Sequence, residues 1–251
     1  MVGIIVSHAG TAVALYWLLT GQASAWWLLA SYAGFILFGL VGVDGGYHRV
    51  VAHRSLEARN RLCLGILLAL ALPAAQGSAM SWASSHRLHH AQSDGPGDPH
   101  SPRDGVWHAY MGWMFGDYVR VIRMGLLRDP LLRWQHRQMA TLLLGLWVTA
   151  GLISAELLVY GLLLPAAWGF FSVGLVNALG HRADQPRNLW WFWPLVGATA
   201  LHGNHHAMPW RGRYGQPDPI YWVLRALTRE PDAYNRQWRG APHALRETTT
   251  P

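Results

Sequence analysis

The chain has 251 residues, 51% hydrophobic and only 13% charged, with a formal net charge of +7 and an isoelectric point near 10.1. That charge content is about half of what a soluble globular domain carries, and a single cysteine, Cys63, excludes an internal disulfide framework. The basicity does not point to nucleic acid, because every basic residue is an arginine, the first is Arg49, and none interrupts the longest apolar stretches.

A spanning helix needs roughly 20 mostly apolar residues. The first candidate covers 2–19; it lacks a positively charged leader, so it reads as a retained span. After the uncharged link Thr20–Ser24 a second span is expected over 25–43. The apolar stretch from Leu62 to Ala79 is ambiguous, with Pro73, Gly77 and many alanines against a full crossing. If the histidines on its two sides serve one site, it returns to the face it left, as an in-plane or partly inserted helix. Ala140 to Gly180 is too long for one span and reads as two, over 139–155 and 157–180, turning near Ser154-Ala155-Glu156. The polar tail carries Pro217-Asp218-Pro219, a short helix near Ile220–Leu227, and last residues Glu247–Pro251 that read as unstructured. Cys63 reads as a small core hydrophobe.

The expectation is a single all-α integral membrane domain over 1–251. Four spanning helices carry a histidine-rich cap, 44–138 and 181–251. Both turns on the opposite side are short and free of arginine, so the positive-inside rule puts the cap in the cytoplasm. The 15 tryptophans and 9 tyrosines suit interfacial belts. The all-arginine composition suggests a bacterial inner membrane.

Most of the 14 histidines cluster just past the ends of apolar segments. His48 and His53 follow the second span; His86, His89 and His90 form one HxxHH, and His202, His205 and His206 another. His181 follows the fourth span, with Asn177 one helical turn before it. Positions i, i+3 and i+4 share a helix face, so each HxxHH can direct imidazoles toward one or two metals. Imidazole suits iron, zinc, copper and nickel, and nine such rings exceed what one ion uses. A structural zinc site would need only four ligands, usually with cysteine, so two redox-active irons fit better. His8, His108, His136 and His243 read as interfacial or hydrogen-bonded residues, and His100, in Asp98-Pro99-His100, as a neighbour of the site.

At this point the residues resemble the membrane fatty acyl desaturase family, specifically its delta-9 acyl-CoA branch. Three boxes, HxxxxH, HxxHH and HxxHH, stand in order between apolar segments. Their surroundings resemble that family too: Gly46-Tyr47-His48-Arg49, Ala52-His53-Arg54-Ser55, Trp82, and Val176-Asn177 through His181 with Arg187-Asn188. The resemblance spans roughly residues 25 to 210. It implies two irons held by His48, His53, His86, His89, His90, His181, His202, His205 and His206, with Asn177 reaching one iron through water. It also implies a cone of four spans under a cytoplasmic cap. One departure is Thr199, where the branch usually carries a glutamate three residues before the third box.

The expected activity is O2-dependent desaturation of a fatty acyl thioester, carried by coenzyme A or acyl carrier protein, with electrons from a ferredoxin-, rubredoxin- or cytochrome b5-type donor. Asp44, Asp94 and Asp98 are candidates to orient imidazoles. Tyr32 and Ile36, one turn apart on the second span, are expected to close the tunnel's far end and favour medium-length chains. The same metals would serve a hydroxylase or acetylenase, and an acyl-lipid substrate stays open. A haem electron carrier would need histidine pairs within spans. A membrane metal-binding or transport protein would need ionisable groups deep in them, and the spans offer little beyond His8 and Glu156.

Overall fold

A computed structural model describes residues 1–116, 124–182 and 185–231; His243 and the expected unstructured tail lie outside them. The described chain is built on eight helices that position the site. These are α1 (Val2–Leu19), α2 (Trp26–Ala52), α3 (Arg61–Ala74), α4 (Ala79–Gln92), α5 (Pro130–Ile153), α6 (Ala155–Leu179), α7 (His202–Ala207) and α8 (Pro219–Leu224).

Three of them, α1, α2 and α6, are long and apolar enough to cross a membrane. Their exposed side chains say the same: Val2, Ile5, Val13, Leu15 and Leu19 of α1 face outward, a surface that fits lipid and not water. The third expected span, 139–155, is the apolar part of α5, which starts nine residues earlier. Arg133, His136 and Arg137 in its first turns dilute its hydropathy, so α5 does not pass with the other three.

Helix α2 also outruns its expected end at Val43. It is a regular α-helix to Phe35 and then winds as a π-helix from Ile36 to Ala52. The Asp44-Gly45-Gly46 run does not break it, because Asp44 and Arg49 are buried as partners and the glycines admit neighbours. A Cβ at Gly42 would stand 2.5 Å from the Ala71 nitrogen, so glycine is what lets α3 lie against this half of α2. Leu67 and Tyr47 are fully buried in the resulting contact.

Between α3 and α4 the chain turns through 81°. Ala75 and Gly77 take left-handed φ values of 57° and 82° in that turn. Ser78 caps α4 by accepting from the Ser81 amide. The 61–92 segment thus bends near a right angle, and His86 of α4 comes to lie against His53 at the end of α2. Cys63, a free and half-buried thiol on α3, carries no disulfide.

Ser154 breaks the long apolar stretch into α5 and α6, with its hydroxyl accepting from the Leu157 amide. α6 packs along α1 and α2. The tail then folds back on α2: Leu224 of α8 meets Gly45, and Thr228–Arg229 pairs antiparallel with Glu57–Ala58. The expected helix near Ile220–Leu227 is shorter, ending at Leu224.

Candidate metal centre

The nine histidines of the three boxes and His181 converge into two groups. One holds His48, His53, His86, His90 and His205; the other holds His89, His181, His202 and His206, each group with its ligand atoms within 4.8 Å of one another. Each HxxHH is divided. In α4, His86 and His90 face the first group while His89, on the neighbouring stripe, faces the second. In α7 the split is reversed, with His202 and His206 in the second group and His205 in the first. The i and i+4 rings share a stripe and the i+3 ring leans aside, so a single helical turn serves both groups.

His48 and His53 are separated by five positions, which an α-helix would place on different faces. The π-winding of α2, with hydrogen bonds from i to i+5, stacks them instead: the His53 amide bonds the His48 carbonyl at 2.9 Å and the rings lie 4.7 Å apart.

Within the groups, nitrogens point at nitrogens. His53 and His86 Nε2 are 2.7 Å apart, His48 and His205 Nε2 3.1 Å, His90 and His205 Nε2 2.9 Å, His181 and His202 Nε2 2.9 Å, and His89 and His206 Nε2 3.2 Å. Two nitrogens bound at ~2.1 Å to one ion at right angles lie ~3.0 Å apart, so this crowding is the spacing of adjacent ligands on a shared ion. A hydrogen-bond network alone is a poor account, since His205 Nε2 faces two other Nε2 atoms and a neutral ring has one N–H to give. The donor set therefore fits two transition-metal ions bound through imidazole.

Three carboxylates hold the opposite ring nitrogens. Asp44 Oδ1 lies 2.9 Å from His48 Nδ1, Asp98 Oδ2 2.9 Å from His89 Nδ1, and Asp94 Oδ2 2.8 Å from His181 Nδ1. An aspartate accepting the Nδ1 proton fixes the tautomer and turns the Nε2 lone pair to the centre. Burial works against the charge of Asp98, but hydrogen bonds from His89 and the Asp94 amide outweigh it and hold the carboxyl at about 2. Burial, reinforced by neighbouring imidazoles, pushes His202, His205 and His206 well below the ordinary imidazole value, leaving them neutral. Neutral imidazole is the form that binds a metal.

The network continues into residues that sequence reading left aside. Tyr214 Oη stands 2.8 Å from Asp44 Oδ1 and 2.7 Å from His48 Nδ1. Arg49, wholly buried, bridges Asp44 Oδ2 at 2.8 Å and Asp218 Oδ2 at 2.9 Å, and its guanidinium stacks 3.9 Å from the Tyr214 ring. Asp218 also accepts from the Tyr221 amide, capping α8. Asn188 and Asn204 bond reciprocally and tie α7 to the preceding loop.

Against this centre lies a cavity of about 560 Å³. His48, His86, His89, His202 and His205 form its polar floor, with Phe35, Leu40, Val43, Phe170 and Val173 among its apolar walls. Asn177 lines it too, buried, with no hydrogen-bond partner for its amide nitrogen among the described residues. Such a donor is free to meet a small ligand in the cavity. Thr199 contributes to the wall, and His100 lines it beside His89, ring centroids 4.2 Å apart.

Tyr32 and Ile36 are not among the residues that line this cavity. Tyr32 turns to Trp168, at 5.3 Å, and bonds the Pro194 carbonyl, while Ile36 packs in the cluster around Phe35 and Leu40. Phe35 and Gly39 of the same helix line it. His8, His108 and His136 lie outside both groups, on Ile4, Pro99 and Ser78 respectively.

The profile of the fatty acid desaturase family matches residues 24–238. An acyl-CoA 5-desaturase of Anemone leveillei is 30% identical over 81% of this chain and 69% of its own length. An sn-1 stearoyl-lipid 9-desaturase of Anabaena variabilis is 27% identical, covering 82% and 74%. An sn-2 palmitoyl-lipid 9-desaturase of a Nostoc strain is 29% identical, covering 81% of each.

Proposed function

The chain belongs to the fatty acid desaturase family, and from that membership we propose that it is an O2-dependent di-iron desaturase of fatty acyl thioesters carried by coenzyme A or acyl carrier protein. The observation that carries the reading is the pairing of two imidazole groups with one largely apolar cavity. Five histidines would hold one iron and four the other, with Asn177 beside them as the water-linked residue. When bound, the irons supply O2 activation and the oxidising power to remove hydrogen from an unactivated methylene.

The rest is the work of the chain's own residues. Phe35, Val43, Phe170 and Val173 enclose the acyl chain and keep water from it. The ring of His48 is held by Asp44 and Tyr214, that of His89 by Asp98 and that of His181 by Asp94, so the ligands need not reorganise during turnover. Desaturation removes two hydrogens from adjacent carbons and reduces O2 to two waters, so two electrons and two protons come from an external donor and solvent.

The protein is read as one domain of four spans, with α5 as the third, and with cap and centre on the cytoplasmic side of a bacterial inner membrane. The first arginine, Arg49, and the arginine-free turns support that orientation. An acyl-lipid substrate is the second reading, favoured by the two cyanobacterial relatives whose names specify acyl lipids.

Iron content and the visible spectrum of the detergent-purified protein test the proposal first. About two irons per chain without a Soret band, followed by alkene formation from an acyl thioester, are expected. Haem, or an alcohol as the only product, overturns it.

A further inference from the structure

The turn after α4 carries a third group of metal-binding side chains. Among the described residues, His89, Asp98 and His100 bring their ligand atoms within 4.8 Å of one another, and all three are buried. Asp98 Oδ2 lies 2.9 Å from His89 Nδ1, and Asp98 Oδ1 lies 3.8 Å from His100 Nδ1. Two atoms each ~2.1 Å from one ion stand ~3.0 Å apart at a right angle and ~4.2 Å apart in line, so both separations suit neighbours on a shared ion.

The His100 imidazole belongs to neither of the two larger groups. Its side chain is only 7% exposed, and its Nδ1 has no hydrogen-bond partner among the described residues, since 3.8 Å is too long for a bond to Asp98. The ring is packed between His89, at 4.2 Å, and Trp113, at 5.1 Å. A buried nitrogen without a partner is costly unless a ligand meets it. Asp94, at the head of the same turn, keeps its Oδ1 equally without a partner. Two carboxylates and an unengaged imidazole nitrogen on residues 94–100 are a donor set for a divalent transition metal.

His89, His100 and His202 line the cavity, whereas His181 and His206 do not. The four-histidine group therefore meets the cavity at the edge where His100 stands. His89 joins the two places: its Nδ1 faces Asp98, and its Nε2 faces His206 Nε2 at 3.2 Å. A neutral imidazole carries one N–H. With it on Nε2, Nδ1 is free to bind an ion beside Asp98; with it on Nδ1, Asp98 accepts it and Nε2 binds within the four-histidine group. One ring thus serves either place in turn.

We propose that His89, Asp98 and His100 form a third divalent-metal site, which receives an ion from the cavity and passes it to the four-histidine group. The inference rests on the reading of that group as a metal site and needs nothing from the desaturation chemistry. The step is ligand exchange alone: the bonds to Asp98 and His100 are given up as those to the four histidines form, with no change of oxidation state. A site on the path changes the rates of entry and exit together and leaves the equilibrium as it was.

Cobalt(II) uptake by the full, detergent-purified and chelator-stripped chain tests the proposal. Visible ligand-field absorption gives the rate, and chelator competition gives the affinity. His100→Phe keeps a ring between His89 and Trp113 and removes the nitrogens, while His100→Gln removes the ring. His108→Phe, whose histidine sits on the Pro99 carbonyl outside all three groups, is the control. Both His100 variants are expected to fill the four-histidine group about tenfold or more slowly, with final metal content and chelator midpoint unchanged, and His108→Phe to match wild type. A loss of affinity as large as the loss of rate overturns the proposal, because a ring merely packed behind His89 would produce it. Equal slowing in His108→Phe overturns it too. Uptake of two ions at wild-type rates in both His100 variants removes the third site and leaves the metal centre standing; no uptake by wild type removes both.

Discussion

His48 and His53 lie 4.7 Å apart, ring to ring, only because the helix that carries them is wound one residue wider per hydrogen-bonded turn than an α-helix. The five-residue spacing of the first box is matched to that winding. Moving the second histidine back one position, in the double variant Ala52→His with His53→Ala, would suit an ordinary helix and misplace the ring here. The protein is expected to lose the ion of the five-histidine group and retain about one iron per chain, read by metal analysis. Retention of both ions would show that the winding does not set the geometry.

Asp98 accepts the Nδ1 proton of His89 and is itself held by two backbone amides, those of Asp94 and His100. Asp98→Ala frees the His89 ring to rotate. Metal affinity in a chelator competition should fall by about 10- to 100-fold. Asp94→Ala should act likewise through His181. An unaltered competition curve in both would remove the carboxylates from the metal's support.

Arg49→Met would leave Asp44 and Asp218 buried without their shared cation. Breaking one member of a buried charge network costs about 3–5 kcal/mol, so a large drop in Tm of the detergent-purified protein is expected. Double replacement with Asp218→Asn should recover part of that loss, because fewer charges are stranded; a cycle with no recovery would argue against the network.

Asp129 caps α5, accepting from the Leu131 and Leu132 amides, and pairs with Arg61 at 2.7 Å. The Arg61 hydrogen bond holds its carboxyl below the ordinary 3.8. A depressed folded value means the stabilisation is complete above that ordinary value and fades as pH falls through the folded one. Asp129→Ala should cost about 1 kcal/mol at neutral pH, and the gap to wild type should close in strong acid.

Phe35 faces the cavity while Ile36 does not. Phe35→Leu should extend the accepted acyl length in product analysis, and Ile36→Ala should leave the profile unchanged. The opposite pattern would return Ile36 to the tunnel wall.

The box histidines were legible because their spacing repeats and each box follows an apolar segment. What spacing could not convey was partition: His89 and His90 are adjacent, yet they serve different groups, because they stand on neighbouring stripes of α4. A change of winding was equally invisible in the sequence: α2 passes from α-helix to π-helix at Ile36. Asp218 was visible only as part of a turn-like Pro217-Asp218-Pro219, since its partner Arg49 is 169 positions away. Tyr214 carried no local signal either. Residues 210–231 fold against α2 and close one side of the centre.

The bridge from His48 to His205 spans 157 positions, and that from Arg49 to Asp218 spans 169. Both groups draw on α4 and on α7, so neither is complete until α6 and the chain beyond it have been made. A metal that needs either complete group therefore finds it only in the finished chain. A ribosome that stalls before His202 leaves a polypeptide with six of the nine clustered histidines, and without the residues that close one side of the centre. In such a fragment the α2 face that Leu224 and Tyr214 cover at Gly45 and Asp44 would be left bare.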